Sequence, residues 1–151
     1  MNADQVISRS VRNIWLLLIL AGSAGCSNGP KLYPVHGKVV YPDGSPMLGG
    51  AVMFEPVDNP LKVMSQGTID NETGTFTLTT YKEEDGALVG RYRVIIRGRR
   101  SNPKSEVVDP VTIGQIHPRF QDFATSGLEF TVEPKDNEFI IKVEKAPKPH
   151  G

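Results

Sequence analysis

The chain has little cysteine, no excess of either charge and no long apolar run, and each shortage excludes a class of protein. Its 151 residues include one cysteine, Cys26, which excludes an intramolecular disulfide and a site in which two thiolates share a metal. The 17 basic side chains balance 17 acidic ones, whereas surfaces that bind nucleic acid are usually strongly basic. The strongly apolar stretch from Ile14 to Ala21 is far shorter than the about 20 residues of a membrane-spanning helix. We therefore expect neither nucleic-acid binding nor membrane spanning.

The first 25 residues have the features of an export signal. Arg9 and Arg12 form a positive flank before the apolar stretch from Ile14 to Ala21. Three small residues follow that stretch: Ser23, Ala24 and Gly25. This order of charge, apolar segment and small-residue exit is that of a secretory signal peptide. Cys26 comes directly after it, and acylation would remove a thiol that is a liability outside the cytoplasm.

The four residues Ser23-Ala24-Gly25-Cys26 resemble the lipobox of bacterial lipoprotein signal peptides. In that family the cysteine thiol receives a diacylglyceryl group and the peptide is cut just before it; leucine is preferred where this chain has Ser23. The resemblance implies an exported lipoprotein at the cell envelope, on the periplasmic or outer-membrane face, with Cys26 as its membrane anchor. Two acyl chains suffice for stable anchoring. Ordinary secretion after cleavage at Ser23 or Ala24 is the alternative.

The chain beyond residue 25 is predicted to be a single all-β domain. Loss of residues 1–25 removes Arg9, Arg12 and Asp4 and leaves 126 residues with 15 basic and 16 acidic side chains. That length fits one domain with a sizeable core. The 15 glycines and 12 prolines are many for a helical protein, and no stretch after Cys26 keeps a 3.6-residue apolar period.

Alternation of apolar and polar residues predicts about seven short strands. They are residues 35–41, 51–55, 64–69, 75–80, 91–97, 128–132 and 138–143. The inward-facing side chains are predicted to include Val35, Val39, Tyr41, Val52, Phe54, Phe76, Leu78, Tyr92, Val94 and Ile96. We expect the third and fourth strands to form a hairpin around Asp70 to Gly74. Seven short strands with turn signals between them are typical of a β-sandwich.

Three groups of residues occur in an order that a known domain family shares. They are Val35 to Tyr41 with Gly44 to Met47 and Gly50 to Phe54, then Thr68, Asp70 and Gly74 to Leu78, and last Gly90 to Val94. This set resembles carboxypeptidase regulatory-like domains, and residues 118–120, 125–128 and 136–139 are similar to short exported lipoproteins of planctomycetes. The resemblance implies a transthyretin-like (prealbumin-like) Greek-key sandwich over residues 35–144. It would follow a signal peptide, 1–25, and a lipidated tether, 26–34, and precede a flexible tail, 145–151.

The resemblance to this family implies a non-catalytic binding or structural module without a cofactor. Its expected partners are the membrane, through the lipid, and envelope polysaccharide or another envelope protein. One alternative is a carbohydrate-binding or adhesion module; a second is a small envelope enzyme of the transthyretin-like fold. The enzymatic relative, hydroxyisourate hydrolase, ends in Tyr-Arg-Gly-Ser, whereas this chain ends Pro147 to Gly151. The three histidines of the present chain, His36, His117 and His150, show no catalytic or two-histidine metal spacing.

The densest positive cluster of the chain is the candidate ligand surface. It consists of Arg91, Arg93, Arg97, Arg99 and Arg100. Such a cluster suits anionic polysaccharide or lipid head groups, although a stripe of this kind is more often the solvated side of a strand.

Two shorter motifs have both a functional and a structural interpretation. Asp70, Asn71, Glu72 and Gly74 place oxygen ligands for calcium in one loop, but tight turns select the same residues. The residue types of an isopeptide-forming pilin module are present as Lys38, Asn137 and Glu55. Strand alternation, however, predicts that Lys38 faces solvent, where its amine stays protonated. We predict a turn and a surface lysine.

The segment from Gly98 to Gly127 is the best candidate for a contact surface, since it is longer than most connections in compact domains. Its apolar residues are alternatively predicted to add an edge strand or to cover a sheet edge. They are Val107, Val108, Val111, Ile113 and Ile116.

Overall fold

A computed structural model describes residues 29–98 and 116–147, in which nine strands and one 3-10 helix occur. The strands are β1 Leu32–Tyr33, β2 Val35–Val40, β3 Ala51–Pro56, β4 Ser65–Thr68, β5 Thr75–Thr77, β6 Ala87–Leu88, β7 Gly90–Arg97, β8 Leu128–Val132 and β9 Asn137–Lys142. The 3-10 helix is Pro118–Gln121. All seven predicted strands are present, with small shifts of their ends, and β1 and β6 are additional.

Two sheets pack face to face, so the predicted all-β sandwich is confirmed. One sheet has the antiparallel order β4-β3-β7-β8, and the other has the order β5-β2-β9. Within the second sheet β2 pairs antiparallel with β5 but parallel with β9. The short strands β1 and β6 form a separate ladder where the chain enters the sandwich.

Phe54 on β3 lies at the centre of the core between the sheets. Its ring centroid is between 5.9 and 6.3 Å from those of four other aromatic rings: Phe76, Tyr92, Phe130 and Phe139. Two of these rings belong to each sheet, so the cluster joins the sheets. Burial of a side chain of this size stabilises the fold by about 1.5–3 kcal/mol. Every predicted inward side chain named above is buried.

The predicted hairpin between the third and fourth strands is wrong. β4 pairs with β3 and β5 pairs with β2, so the two strands lie in different sheets. An isolated bridge between Gln66 and Thr79 links the two segments without a continuous ladder between β4 and β5. The reason is burial, because this crossing lets Ile69 and Phe76 enter the core from opposite sheets.

Described contacts also occur in the segments predicted to be the tether, 26–34, and the tail, 145–151. Leu32 and Tyr33 form β1 and pair with Leu88 and Ala87. Lys145 bridges Ile116, and its Nζ lies 4.8 Å from the ring centroid of Tyr41.

The described end of the 98–127 segment, from residue 116 onward, contributes side chains to the core. Ile116 and Phe120 are 3% and 1% exposed. His117 precedes the 3-10 helix, and its Nδ1 accepts a hydrogen bond of 3.2 Å from the Arg119 N–H. The burial of Phe120 is not predicted by alternation, because a single turn is too short to show a period. Val107, Val108, Val111 and Ile113 lie outside the described residues.

Gly37 on β2 is required by the close approach of its neighbours. A Cβ atom there would lie 2.0 Å from the Phe139 carbonyl oxygen and 2.9 Å from the Phe76 ring. We expect Gly37→Ala to lower the free energy of unfolding by about 1–3 kcal/mol, as overpacking of a core does. Urea unfolding monitored by circular dichroism measures the change. Gly29→Ala is the control, since nothing lies within 4 Å of that position, and equal stability of both variants would contradict the prediction.

Candidate functional site

The predicted lipidation site, Cys26, and part of the predicted arginine cluster lie outside the described residues. Cys26 precedes the first described residue, Gly29, by three positions, and Arg99 and Arg100 follow the last residue before the gap. The described chain continues from Gly29 directly into β1. β1, which pairs with β6, is therefore the first described strand after Cys26 along the chain.

The arginines of β7 lie on the outer face of the four-stranded sheet. Arg91, Arg93 and Arg97 are exposed, because they alternate with the buried side chains of the strand. Arg93 stands in register between Glu55 on β3 and Glu129 on β8. Its Nη2 donates a hydrogen bond of 2.6 Å to Glu55 Oε2. The centre of the predicted cation surface is therefore an acid-base-acid row.

Arg91 is also held by a carboxylate. Its Nε and Nη2 donate hydrogen bonds of 2.7 and 3.2 Å to the two oxygens of Asp58, and the guanidinium lowers the pKa of that carboxyl group. The positive field over this face is consequently weaker than the arginine count suggests. Sequence reasoning missed Glu55 and Asp58 as partners, because only the pairing of β3 with β7 brings them to these arginines.

A shallow groove of about 240 Å³ lies beside the acid-base row. Its lining consists of Arg93, Phe123, Ala124, Ser126, Gly127, Leu128 and Glu129. It offers a guanidinium, a carboxylate and an aromatic side chain side by side. This combination can hydrogen-bond hydroxyl groups and pack against an apolar ring face.

A second groove, of about 280 Å³, runs along the edges of β4 and β5. Hydroxyl and carboxylate side chains dominate its lining: Thr68, Asp70, Thr75, Thr77, Thr79, Glu83 and Glu84, with Phe76 at its base. The predicted hairpin would have hidden this groove, which exists because the two strands belong to different sheets.

The Asp70 loop has the hydrogen bonds of a tight turn. Asp70 Oδ1 accepts from the N–H groups of Glu72 and Thr73 at 2.9 and 2.7 Å and from the Thr73 hydroxyl at 2.8 Å. These bonds, led by that from the Thr73 N–H, lower the pKa of Asp70. Among residues 29–98 and 116–147, no group of three or more metal-ligating side chains occurs.

The three residues of the isopeptide motif lie apart. Lys38 is on the outer face of the three-stranded sheet, in register with Ile140, and Glu55 is on the outer face of the opposite sheet. Asn137 is buried at 4% exposure, and its Nδ2 donates to the carbonyls of Pro34, Glu133 and Lys135. The surface position predicted for Lys38 is confirmed.

The histidines in the described ranges occupy opposite ends of the sandwich. His36 Nδ1 lies 3.4 Å from Asp136 Oδ1 near the start of β2. His117 donates its backbone N–H to the Glu144 carbonyl beyond the end of β9. His150 is outside the described residues.

Asp85 organises the loop between β5 and β6. Its carboxylate accepts hydrogen bonds from the backbone N–H groups of Thr80, Tyr81 and Lys82 at 2.7, 3.0 and 2.7 Å. Partial burial alone raises the pKa of Asp85, but these backbone donors outweigh it and lower that pKa. Thr80 Oγ1 in turn donates to the Gly86 carbonyl and lies 2.7 Å from Ser65 Oγ, so the loop is tied to β4.

No protein-family model matches this chain, and neither the curated proteins nor the solved structures include a detectable match. In the part of the chain that the structure covers, no helix combines the length and the apolarity needed to cross a bilayer.

Asp85→Asn leaves one oxygen to accept from three N–H groups and removes the charge. We expect it to lower the free energy of unfolding at neutral pH by about 1 kcal/mol, after allowance for solvent screening of the carboxylate. Because the folded-state pKa lies below the unfolded value near 3.9, this contribution is present above about pH 4 and is lost as the pH falls through the folded-state pKa.

Urea unfolding of wild type and Asp85→Asn at neutral and strongly acidic pH tests this expectation. The two proteins should differ at neutral pH and converge in acid. Glu83→Gln removes one charge from the same loop and is the control. A constant difference at both pH values, or an equal effect of Glu83→Gln, would contradict the role given to the carboxylate of Asp85.

Proposed function

We propose that the protein is a lipid-anchored module of the cell envelope with a binding or structural role and no catalysis. The observation that carries the proposal is the order of Arg9 and Arg12, the apolar stretch, three small residues and Cys26. In this hypothesis the diacylglyceryl group on Cys26 holds the sandwich at a membrane surface. We propose the export and anchoring functions together, since the same 26 residues encode both.

The fold supports a module of the carboxypeptidase regulatory-like type. The residues that resemble this family form β2 and β3 with the turn between them, the crossing from β4 to β5, and the start of β7. They therefore occupy consecutive structural positions of the sandwich rather than scattered ones. We propose that the chain is a divergent member of that family.

The shape of the surface supports contact with a large partner rather than enclosure of a small molecule. The interior between the sheets is filled by aliphatic side chains and the aromatic cluster around Phe54. The two grooves described above are shallow and lie on the outside, and polar side chains make up much of their lining. Sites that act on small molecules usually bury most of the ligand in an apolar cleft, whereas shallow polar grooves suit an extended polymer or a protein partner.

Replacement of the anchoring cysteine tests the proposal. The full-length chain, expressed with its signal segment in a bacterium that carries a lipoprotein pathway, should float with membrane vesicles and show the mass of a diacylated protein that begins at Cys26. We expect Cys26→Ser to abolish both flotation and the lipid mass. Ser27→Ala is the matched control and should behave as wild type. Unmodified Cys26 in soluble wild-type protein would overturn the proposal.

A carbohydrate-binding role is the second candidate, and the groove beside Arg93 favours it. Phe123, Arg93 and Glu129 border the same groove, which combines an apolar surface with donors and acceptors for hydroxyl groups. Arg97 continues the exposed arginine row on β7. A polysaccharide chain laid along this outer face would contact both arginines.

Retention of the protein on isolated envelope polysaccharide tests this role. We expect the Arg93→Ala/Arg97→Ala double variant to lose retention, because its donors to the polymer are absent. Arg119→Ala is the control, since Arg119 is also exposed and paired, through Glu144, but lies on the 3-10 helix. Equal retention of the double variant and wild type would exclude the arginine face as the binding surface.

A further inference from the structure

We propose that one end of the sandwich lies on the phospholipid bilayer and inserts its exposed apolar side chains at the headgroup boundary. We name this region the entry end, and it consists of residues 29–34, 57–64, 78–90 and 133–136. The inference rests on the proposed anchoring at Cys26 and adds an orientation to it.

Hydrogen bonds show that these segments belong to one end. The Val57 N–H donates to the Arg91 carbonyl at 2.9 Å, which places the β3-β4 loop at the start of β7. The Leu78 N–H donates to the Val35 carbonyl at 2.8 Å, so the β5-β6 loop begins beside the start of β2. β6 then pairs with β1, where the chain enters the sandwich.

Exposed apolar side chains concentrate at this end. Of the six large apolar residues exposed in the described ranges, five lie there: Val57, Leu61, Met64, Tyr81 and Val89. The sixth, Ile140, lies on the outer face of the three-stranded sheet. Single exposed apolar residues are ordinary, but five in adjoining loops of one end are a cluster. A tyrosine among aliphatic side chains is also typical of the interfacial zone of a bilayer.

The length of the preceding chain brings the entry end to the membrane. Cys26 and Leu32 are six residues apart, and six extended residues span at most about 20 Å. The opposite end, with the turns at 42–46 and 70–74, is farther by the length of a six-residue strand, which is about 20 Å. The segment from Cys26 to Leu32 therefore tethers the entry end to the membrane. None of the six exposed apolar residues lies in the two distant turns.

Charge at the entry end favours apolar insertion over attraction to anionic lipid. Acidic and basic side chains are mixed there, with Arg91 paired to Asp58 and Lys135 paired to Glu133. Such a surface gains little from the negative potential of a membrane, whereas apolar burial is not screened by salt. We therefore expect the contact to persist in high salt.

Tryptophan fluorescence in the lipidated protein tests the orientation. The only tryptophan is Trp15, which cleavage before Cys26 removes, so an introduced tryptophan reports alone. Leu61→Trp probes the entry end, and Ile140→Trp is the matched control; the native side chains are 55% and 63% exposed. Both full-length variants are processed in the bacterial host and reconstituted in phosphatidylethanolamine and phosphatidylglycerol vesicles with and without brominated phosphatidylcholine.

We expect brominated lipid to lower the tryptophan fluorescence of Leu61→Trp about twofold and to leave that of Ile140→Trp unchanged, since an inserted side chain reaches about 5–10 Å into the interface. The quenching should be equal in low and high salt. Flotation of both variants with equal quenching, or with none, would overturn the inference and leave the anchor intact. Failure of both to float would reject the anchoring proposal, and the orientation with it. Matching urea midpoints show that both variants are folded.

Discussion

The packing of aromatic rings around Phe54 is the constraint on which the rest of the structure depends. Phe76 and Phe139 reach it from the three-stranded sheet, and Tyr92 and Phe130 reach it from its own sheet. A core of this thickness needs two sheets, so the chain must cross between them repeatedly. Since side chains fill the space between the sheets, the grooves and charged rows lie on the outside of the body.

The crossings between the sheets explain the difference between the two ends. At the entry end, the β8-β9 connection changes sheets, because β8 pairs with β7 whereas β9 pairs with β2. The amide of Asn137 holds that crossing through three carbonyls. Asp85 holds the neighbouring loop through backbone N–H groups. The Leu61 N–H is satisfied in the β3-β4 loop by Asn59 Oδ1. These backbone groups are paired inside their loops, and the side chains of Leu61 and Tyr81 are exposed.

Alternation predicted individual strands well because burial on one face imposes a period of two. Val52 and Phe54, for example, are buried, whereas Glu55 lies on the outer face. Strand pairing was harder to predict. The order Thr75 to Leu78 is compatible with a hairpin to β4 or with an edge position beside β2, and only packing against Phe54 distinguishes them. The same limit applies to the candidate site: the sequence identifies Arg93, but not that Glu55 and Glu129 lie beside it.

The sequence by itself determined the strand-forming character of the body, the inward positions and the turn at Asp70, because these depend on neighbours within a few residues. Only the tertiary structure decided that β4 and β5 separate, that Arg91 and Arg93 are neutralised by Asp58 and Glu55, and that exposed apolar side chains gather where the chain enters. Those features depend on contacts between residues distant in the chain. Such contacts form only when the core selects one pairing of the strands.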